Sequence, residues 1–186
     1  MTEIKEGYLR VTSVLKPFVD FSNIDPEVLK KACDRGTKVH KLAELHAMGE
    51  YFPTPAGELR GYLKSFRSWF DEMVEEVLHL ELRLYDDLLK ITGAIDGIFI
   101  LKGDSHPSII DYKTPASASK SWALQLAAYQ KLTNDFLLNE GAQRCATRRI
   151  ALQLMKDGTY PKIHEYTSEN DLKIYLGILA AHRYFQ

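Results

Sequence analysis

Apolar positions along the chain change period, and each change marks an element. Val28, Ala32, Val39, Leu42, Ala43 and His46 recur at helical spacing. Asp25-Pro26-Glu27 in front of them supplies a capping acid, a proline at the first helical position and an acid in the first turn. Gly36 interrupts this pattern and Gly49 ends it. After a loop over Tyr51 to Pro55, Glu58 to Leu78 reads as a second helix with a broad apolar stripe, Leu59, Tyr62, Leu63, Phe66, Trp69, Phe70, Met73, Val74 and Val77. The period then drops to two, and Leu80 to Tyr85 predicts a strand. Tyr8 to Leu15, before all of these, reads as a strand or the start of a helix.

Ile91 to Leu101 and Ser108 to Lys113 are β-branched runs, separated by the turn chemistry of Lys102-Gly103-Asp104-Ser105-His106-Pro107, and they predict a β-hairpin. The first is apolar on both faces, with Ile95 and Phe99 on one and Ala94, Ile98 and Ile100 on the other, as expected of a central strand covered on both sides. Lys120 to Leu138 is helical in period through Trp122, Leu126, Tyr129, Leu132 and Phe136. Arg149 to Met155 and Ile163 to Tyr166 form a strand pair around Asp157-Gly158-Thr159. Ser168, with Asp171 three residues on, opens a final helix carrying Leu172, Tyr175, Ile178 and Leu179. The order predicts an α/β fold, a mixed central β-sheet flanked by helices on both sides. We expect a single domain over residues 1–186, with 1–78 as a helical part and 79–186 as sheet core and C-terminal helices.

Charges break the pattern in the hairpin. By alternation Asp96 points into the protein beside Ile98 and Ile100, and Asp111 and Lys113 share one face. A turn near Gly103 and Asp104 sets Asp96 opposite Asp111 or Lys113, at about 5 Å between Cβ atoms. Two carboxylates that close repel by roughly 1 kcal/mol in water and several times more when covered. Lys113 offsets part of this, and a divalent cation would offset more. The other reading is a buried structural ion pair.

Composition adds limits. The 186 residues are 45% hydrophobic and 26% charged, with a formal net charge of -1, so nucleic-acid binding would need a local basic patch. Cys33 and Cys145 make neither a metal-type spacing nor a disulfide framework, which suits a reducing compartment. The opening MTEIKEGYLR is too charged for a signal peptide, and no apolar run is long enough to span a membrane. We therefore expect a cytoplasmic protein without a membrane partner.

In chain order, Arg35-Gly36-Thr37-x-x-His40, Glu81, Gly93-x-x-Asp96, Ile109-Ile110-Asp111-Tyr112-Lys113-Thr114 and Gln125-x-x-x-Tyr129 resemble the PD-(D/E)XK nuclease superfamily. More narrowly, they resemble its RecB-like and phage-type exonuclease branch. The resemblance implies a restriction-endonuclease-like core and a metal-dependent nuclease, with Asp96, Asp111, Lys113, Gln125 and Tyr129 catalytic. It implies Mg2+ or Mn2+ held by His40, Asp96, Asp111 and the backbone carbonyl of Tyr112, with Glu81 as a further acid. Oxygen donors suit a hard cation, and an imidazole among them moves the preference towards manganese.

Lys113 would orient or deprotonate the attacking water, or stabilise the phosphate. Gln125 and Tyr129, four apart on one helical face, reach the same site. Arg35, Lys38, Lys120 and Trp122 are candidates for DNA contact, as is the row Arg60, Lys64, Arg67, with Trp122 or Tyr112 as a base-stacking surface. Gly36 would let its helix approach another backbone, or let Arg35 reach a phosphate. Some RecB-like relatives carry four cysteines for an iron-sulfur cluster; with two cysteines, none is expected here. The implied activity is a DNA exonuclease of phage, mobile-element or bacterial recombination and repair, acting in a bacterial or phage-infected cell on single- or double-stranded ends. A homo-oligomer or a recombination partner protein would fit that role. The alternatives are a structure-specific or restriction-type endonuclease, and a nucleic-acid-binding module with a decayed site.

Overall fold

A computed structural model describes residues 4–19, 22 and 24–185; the first three residues of the charged opening lie outside the described residues. A two-residue strand β1 (Leu9–Arg10) runs directly into a short helix α1 (Val11–Leu15) and a 3-10 turn at Lys16–Phe18. Helix α2 spans Pro26–Ala47, and the Asp25 carboxylate caps it by accepting from the Glu27 and Val28 amides at 2.8 and 3.2 Å. Gly36 does not break it. Helix α3 spans Glu58–Met73 and passes without a loop into strand β2, Val74–Asp86.

This is the main departure from the sequence expectation, which continues the helix to Leu78. Val74 and Val77 keep helical spacing but pair with Leu101 and Phe99 of strand β3 (Ile91–Leu101). The Met73 carbonyl, left over at the end of the helix, accepts from the Lys102 amide at 2.8 Å. Both valines favour extended backbone, and the edge of β3 offers hydrogen bonds that an isolated last helical turn lacks.

Strand β4 (Pro107–Lys113) completes the hairpin, helix α4 (Ser121–Asn139) crosses over, and β5 (Arg148–Gln153), β6 (Lys162–Glu165) and helix α5 (Asn170–Tyr184) follow. The sheet runs β2-β3-β4-β5-β6, with β1 joining beside the start of β3. β4 and β5 are parallel, as their helical crossover requires, and so are β1 and β3; the other pairs are antiparallel. β3 is central and nearly all buried, as its two apolar faces predict.

Each face of the sheet has its own core. On one side Val11, Val14, Ile95, Ile98, Ile109, Leu126, Leu132 and Tyr175 join α1, α4 and α5 to the sheet. On the other Val39, Ala43, Phe66, Trp69, Phe99, Ile110 and Tyr112 bring in α2 and α3. Among the described residues no helix is long and apolar enough to cross a membrane.

Candidate active site

The site forms where two ladders break. Between β3 and β4 the register Ile98↔Ile109, Gly97↔Ile110 would next pair Asp96 with Asp111, but the ladder stops there. In its place Asp96 Oδ2 accepts from the Tyr112 amide at 2.6 Å, so a carboxylate fills the gap between the strands. Between β2 and β3 the paired positions likewise skip Glu81 and Asp96, and Glu81 has φ 47° in mid-strand. A non-glycine residue in the left-handed region is strained, and such strain gathers at sites where the surroundings enforce it.

These kinks change which face each acid takes. Ile98 packs with α4 and α5, whereas Asp96 meets His40 of α2 on the opposite face. The expectation that Asp96 sides with Ile98 therefore fails, because strict alternation does not survive the irregular backbone. Asp111 and Lys113 do share a face, towards α4.

His40 Nδ1 lies 3.2 Å from Asp96 Oδ1, and donor atoms of His40, Glu81 and Asp96 all fall within 4.8 Å of one another. They line a cavity of about 770 Å³ with Cys33, Gly36, Thr37, Lys41, Glu44, Arg83 and Ala94. Burial lowers the His40 pKa, but the Asp96 carboxylate and its hydrogen bond outweigh that and carry it up to about 9. Burial, and then the negative charge of Asp96, raise Glu81 to about 7. His40 and Glu81 thus hold protons that a cation would displace, and the imidazole and carboxylate donors of the trio fit a divalent metal.

Asp111 stands outside that trio, in a second network. Lys113 Nζ is 2.5 Å from Asp111 Oδ2 and 3.0 Å from Gln125 Oε1. Gln125 Nε2 in turn donates to Asp111 Oδ1 at 3.0 Å and to the Tyr129 hydroxyl at 3.1 Å. Burial raises the Asp111 pKa against the pull of Lys113, whose ammonium is the partner of the buried Oδ2. Burial also holds the Tyr129 hydroxyl protonated, well above the usual phenol range. The Tyr129 ring lies so close to β3 that a Cβ on Gly93 would meet its Cε1 at 2.6 Å, which is the physical content of the Gly93-x-x-Asp96 spacing.

The remaining candidates scatter. Arg35 stacks over the Tyr62 ring at 5.7 Å and reaches Glu58 at 3.9 Å, and Lys38 and Lys120 are exposed. Trp122 and Tyr112 are 5% and 1% exposed, so neither ring offers an open face for stacking; depth in the fold is not visible in sequence. A methyl on Gly36 would meet Thr114 Oγ1 at 3.6 Å, an ordinary contact, so the close approach of α2 does not require glycine there. Thr147-Arg148-Arg149 is structural: Arg148 pairs with Asp104 and Glu165, and Arg149 with Asp171.

Sequence reasoning missed Gln153, whose amide donates to the Pro115 and Ala116 carbonyls and steadies the chain leaving Lys113. It also missed Glu44, which adds to the negative field on Glu81. Arg83 escaped notice as well, although it is two residues from Glu81 on the same strand.

A search of curated proteins finds no match. The family model for the PD-(D/E)XK nuclease superfamily matches residues 56–175, which hold Glu81, both hairpin acids, Lys113, Gln125 and Tyr129, while His40 precedes them. The mixed sheet between helical layers agrees with a restriction-endonuclease-like core. That match spans more than half of the chain, and its hairpin, crossover helix and following strands are the elements described above: the chain belongs to the PD-(D/E)XK nuclease superfamily.

Proposed function

We propose that this protein is a divalent-metal-dependent DNA exonuclease of the RecB-like, phage-type branch, working on DNA ends in recombination or repair. The observation that carries the reading is the convergence of His40, Glu81 and Asp96 within 4.8 Å, across the splayed strands from the Asp111–Lys113–Gln125 network. His40, Glu81 and Asp96 would hold Mg2+ or Mn2+, with Asp111 and the Tyr112 backbone carbonyl as the further oxygen donors that the resemblance assigns. Such an ion supplies Lewis-acid polarisation of the phosphate and a water of lowered pKa.

The chain's own residues do the rest. The Tyr112 amide fixes Asp96 through Oδ2, which leaves Oδ1 on the His40 side. Lys113 is oriented by two acceptors, Asp111 and Gln125, so its ammonium can meet the charge that develops on the phosphate. Gln125 is buried and bonds Lys113, Asp111 and Tyr129 together, so it sets their mutual geometry. Arg35, Lys38 and Lys120 supply cations for the phosphate backbone.

The test is one gel with end-labelled single- and double-stranded DNA, linear and circular, in magnesium, manganese or chelator. We expect linear DNA to be degraded with metal and covalently closed circles to survive. Cleaved circles would make the protein an endonuclease. No cleavage of any DNA, or full cleavage by Asp111→Ala and Lys113→Ala, would overturn the reading.

A further inference from the structure

Among the described residues the Arg83 side chain has no ion-pair or hydrogen-bond partner, although Glu44, Glu81 and Asp96 line the same cavity. Arg83 pairs with Ala94 in the β2–β3 ladder, two residues along each strand from Glu81 and Asp96. Two residues of strand are about 6.6 Å, a gap that an arginine side chain spans. Both Arg83 and Ala94 line the cavity of about 770 Å³ that His40, Glu81 and Asp96 share. The residue is partly buried, its Nε is fully buried without a hydrogen-bond partner, and among the described residues its guanidinium makes no ion pair.

The arginines on β5 differ. Arg148 is held by Asp104 and Glu165, and Arg149 by Asp171 and the carbonyls of Tyr166 and Ser168. Guanidinium keeps its charge at every relevant pH, so a half-buried one without a partner is costly unless a ligand anion completes it. Acids lie nearby, yet none of the described ones comes within ion-pair distance of Arg83, and in the proposed function they are committed to a metal.

We infer that Arg83 is the phosphate clamp of this cavity, its guanidinium taking the non-bridging oxygens of a phosphodiester in the strand that enters beside His40, Glu81 and Asp96. The inference rests on the nuclease reading for the identity of the ligand. The planar fork of arginine matches two phosphate oxygens at once, which a lysine in its place would not. The clamp explains why this charge lines the cavity that holds the donors of His40, Glu81 and Asp96, while its field also reaches the Tyr129 hydroxyl of the second network.

The experiment reads binding separately from cleavage. Wild type, Arg83→Gln and Arg83→Lys bind a fluorescent ten-nucleotide oligothymidylate in calcium, over a series of salt concentrations, and melting curves confirm that each variant is folded. We expect Arg83→Gln to bind about tenfold more weakly, with the slope of log affinity against log salt reduced by about 1. Arg83→Lys should recover the slope but not the full affinity. Manganese binding by calorimetry should be unchanged or tighter in Arg83→Gln, whereas a merely structural role would weaken it.

Methylphosphonate placed at successive positions should reveal one phosphate whose neutralisation weakens wild type but not Arg83→Gln. Equal affinity and slope in folded Arg83→Gln, or no such phosphate, overturns the clamp. A wild type that binds the oligonucleotide but cleaves no DNA would sink the nuclease reading while the clamp stands; one that binds no oligonucleotide overturns the clamp as well.

Discussion

Glu81→Gly separates the two costs that the site imposes on the fold. Glu81 holds φ 47° inside β2, and a non-glycine residue there costs about 1–2 kcal/mol. Glycine removes that strain but brings back about 0.5–1 kcal/mol of chain entropy. The carboxylate adds a further penalty, because burial and Asp96 raise its pKa to about 7, so it is charged against resistance at pH 8. Glu81 is exposed, and solvent screening limits that part to about 0.5 kcal/mol.

In chelator at pH 8, Glu81→Gly should therefore be more stable than wild type by about 1 kcal/mol, or about 2–4 °C in melting temperature. Glu81→Gln keeps the strain and gains only the electrostatic part. Saturating manganese should reverse the order: a tenfold loss of affinity costs about 1.4 kcal/mol of linked stability, enough to put wild type ahead. Urea denaturation of the three proteins in chelator and in manganese gives both comparisons. If Glu81→Gly is no more stable than Glu81→Gln in chelator, the strain argument is wrong; if manganese leaves the order unchanged, Glu81 is no ligand.

Manganese affinity should rise by up to about 100-fold per pH unit below pH 7, where protons on Glu81 and His40 both compete, and by about tenfold per unit between pH 7 and 9, where only His40 does; calorimetric affinities that stay flat from pH 6 to 8 would refute this. Without metal the same two raised pKa values predict the opposite trend, a stability contribution present at low pH and lost as pH rises through about 7 and then about 9, read by denaturation in chelator. Gly61→Ala should lower stability by about 3 kcal/mol, because its Cβ would stand 1.7 Å from the Lys156 backbone oxygen, and a melting temperature within two degrees of wild type would contradict it. Asp86, whose pKa is lowered by the Leu89 amide and Lys131 despite burial, should contribute stability above the unfolded carboxylate value that is lost as pH falls through the folded one; Asp86→Asn should flatten that acid limb of the denaturation profile.

Local chemistry decided much of this protein in advance. The cap at Asp25-Pro26, the turn at Gly103 and the both-sided apolar run of Ile91 to Leu101 each act within a few residues, so sequence alone determined α2, the hairpin and a central β3. The same holds for Gln125 and Tyr129, because an interval of four on a regular helix fixes a common face. Where backbone regularity fails, so does inference from spacing. Val74 and Val77 read as helix because their interval fits one; only the free edge of β3 made them strand.

Alternation put Asp96 beside Ile98, but the left-handed Glu81 and the broken ladder turned Asp96 towards His40. The same kink placed Glu81 in the trio and left Asp111 with Lys113 and Gln125. Depth was equally a tertiary matter: Trp122 and Tyr112 are covered, and Arg83 faces the acids, only because α2 and α4 close over opposite faces of one twisted sheet. Sequence named most of the reactive groups; the packing of distant elements decided which of them meet.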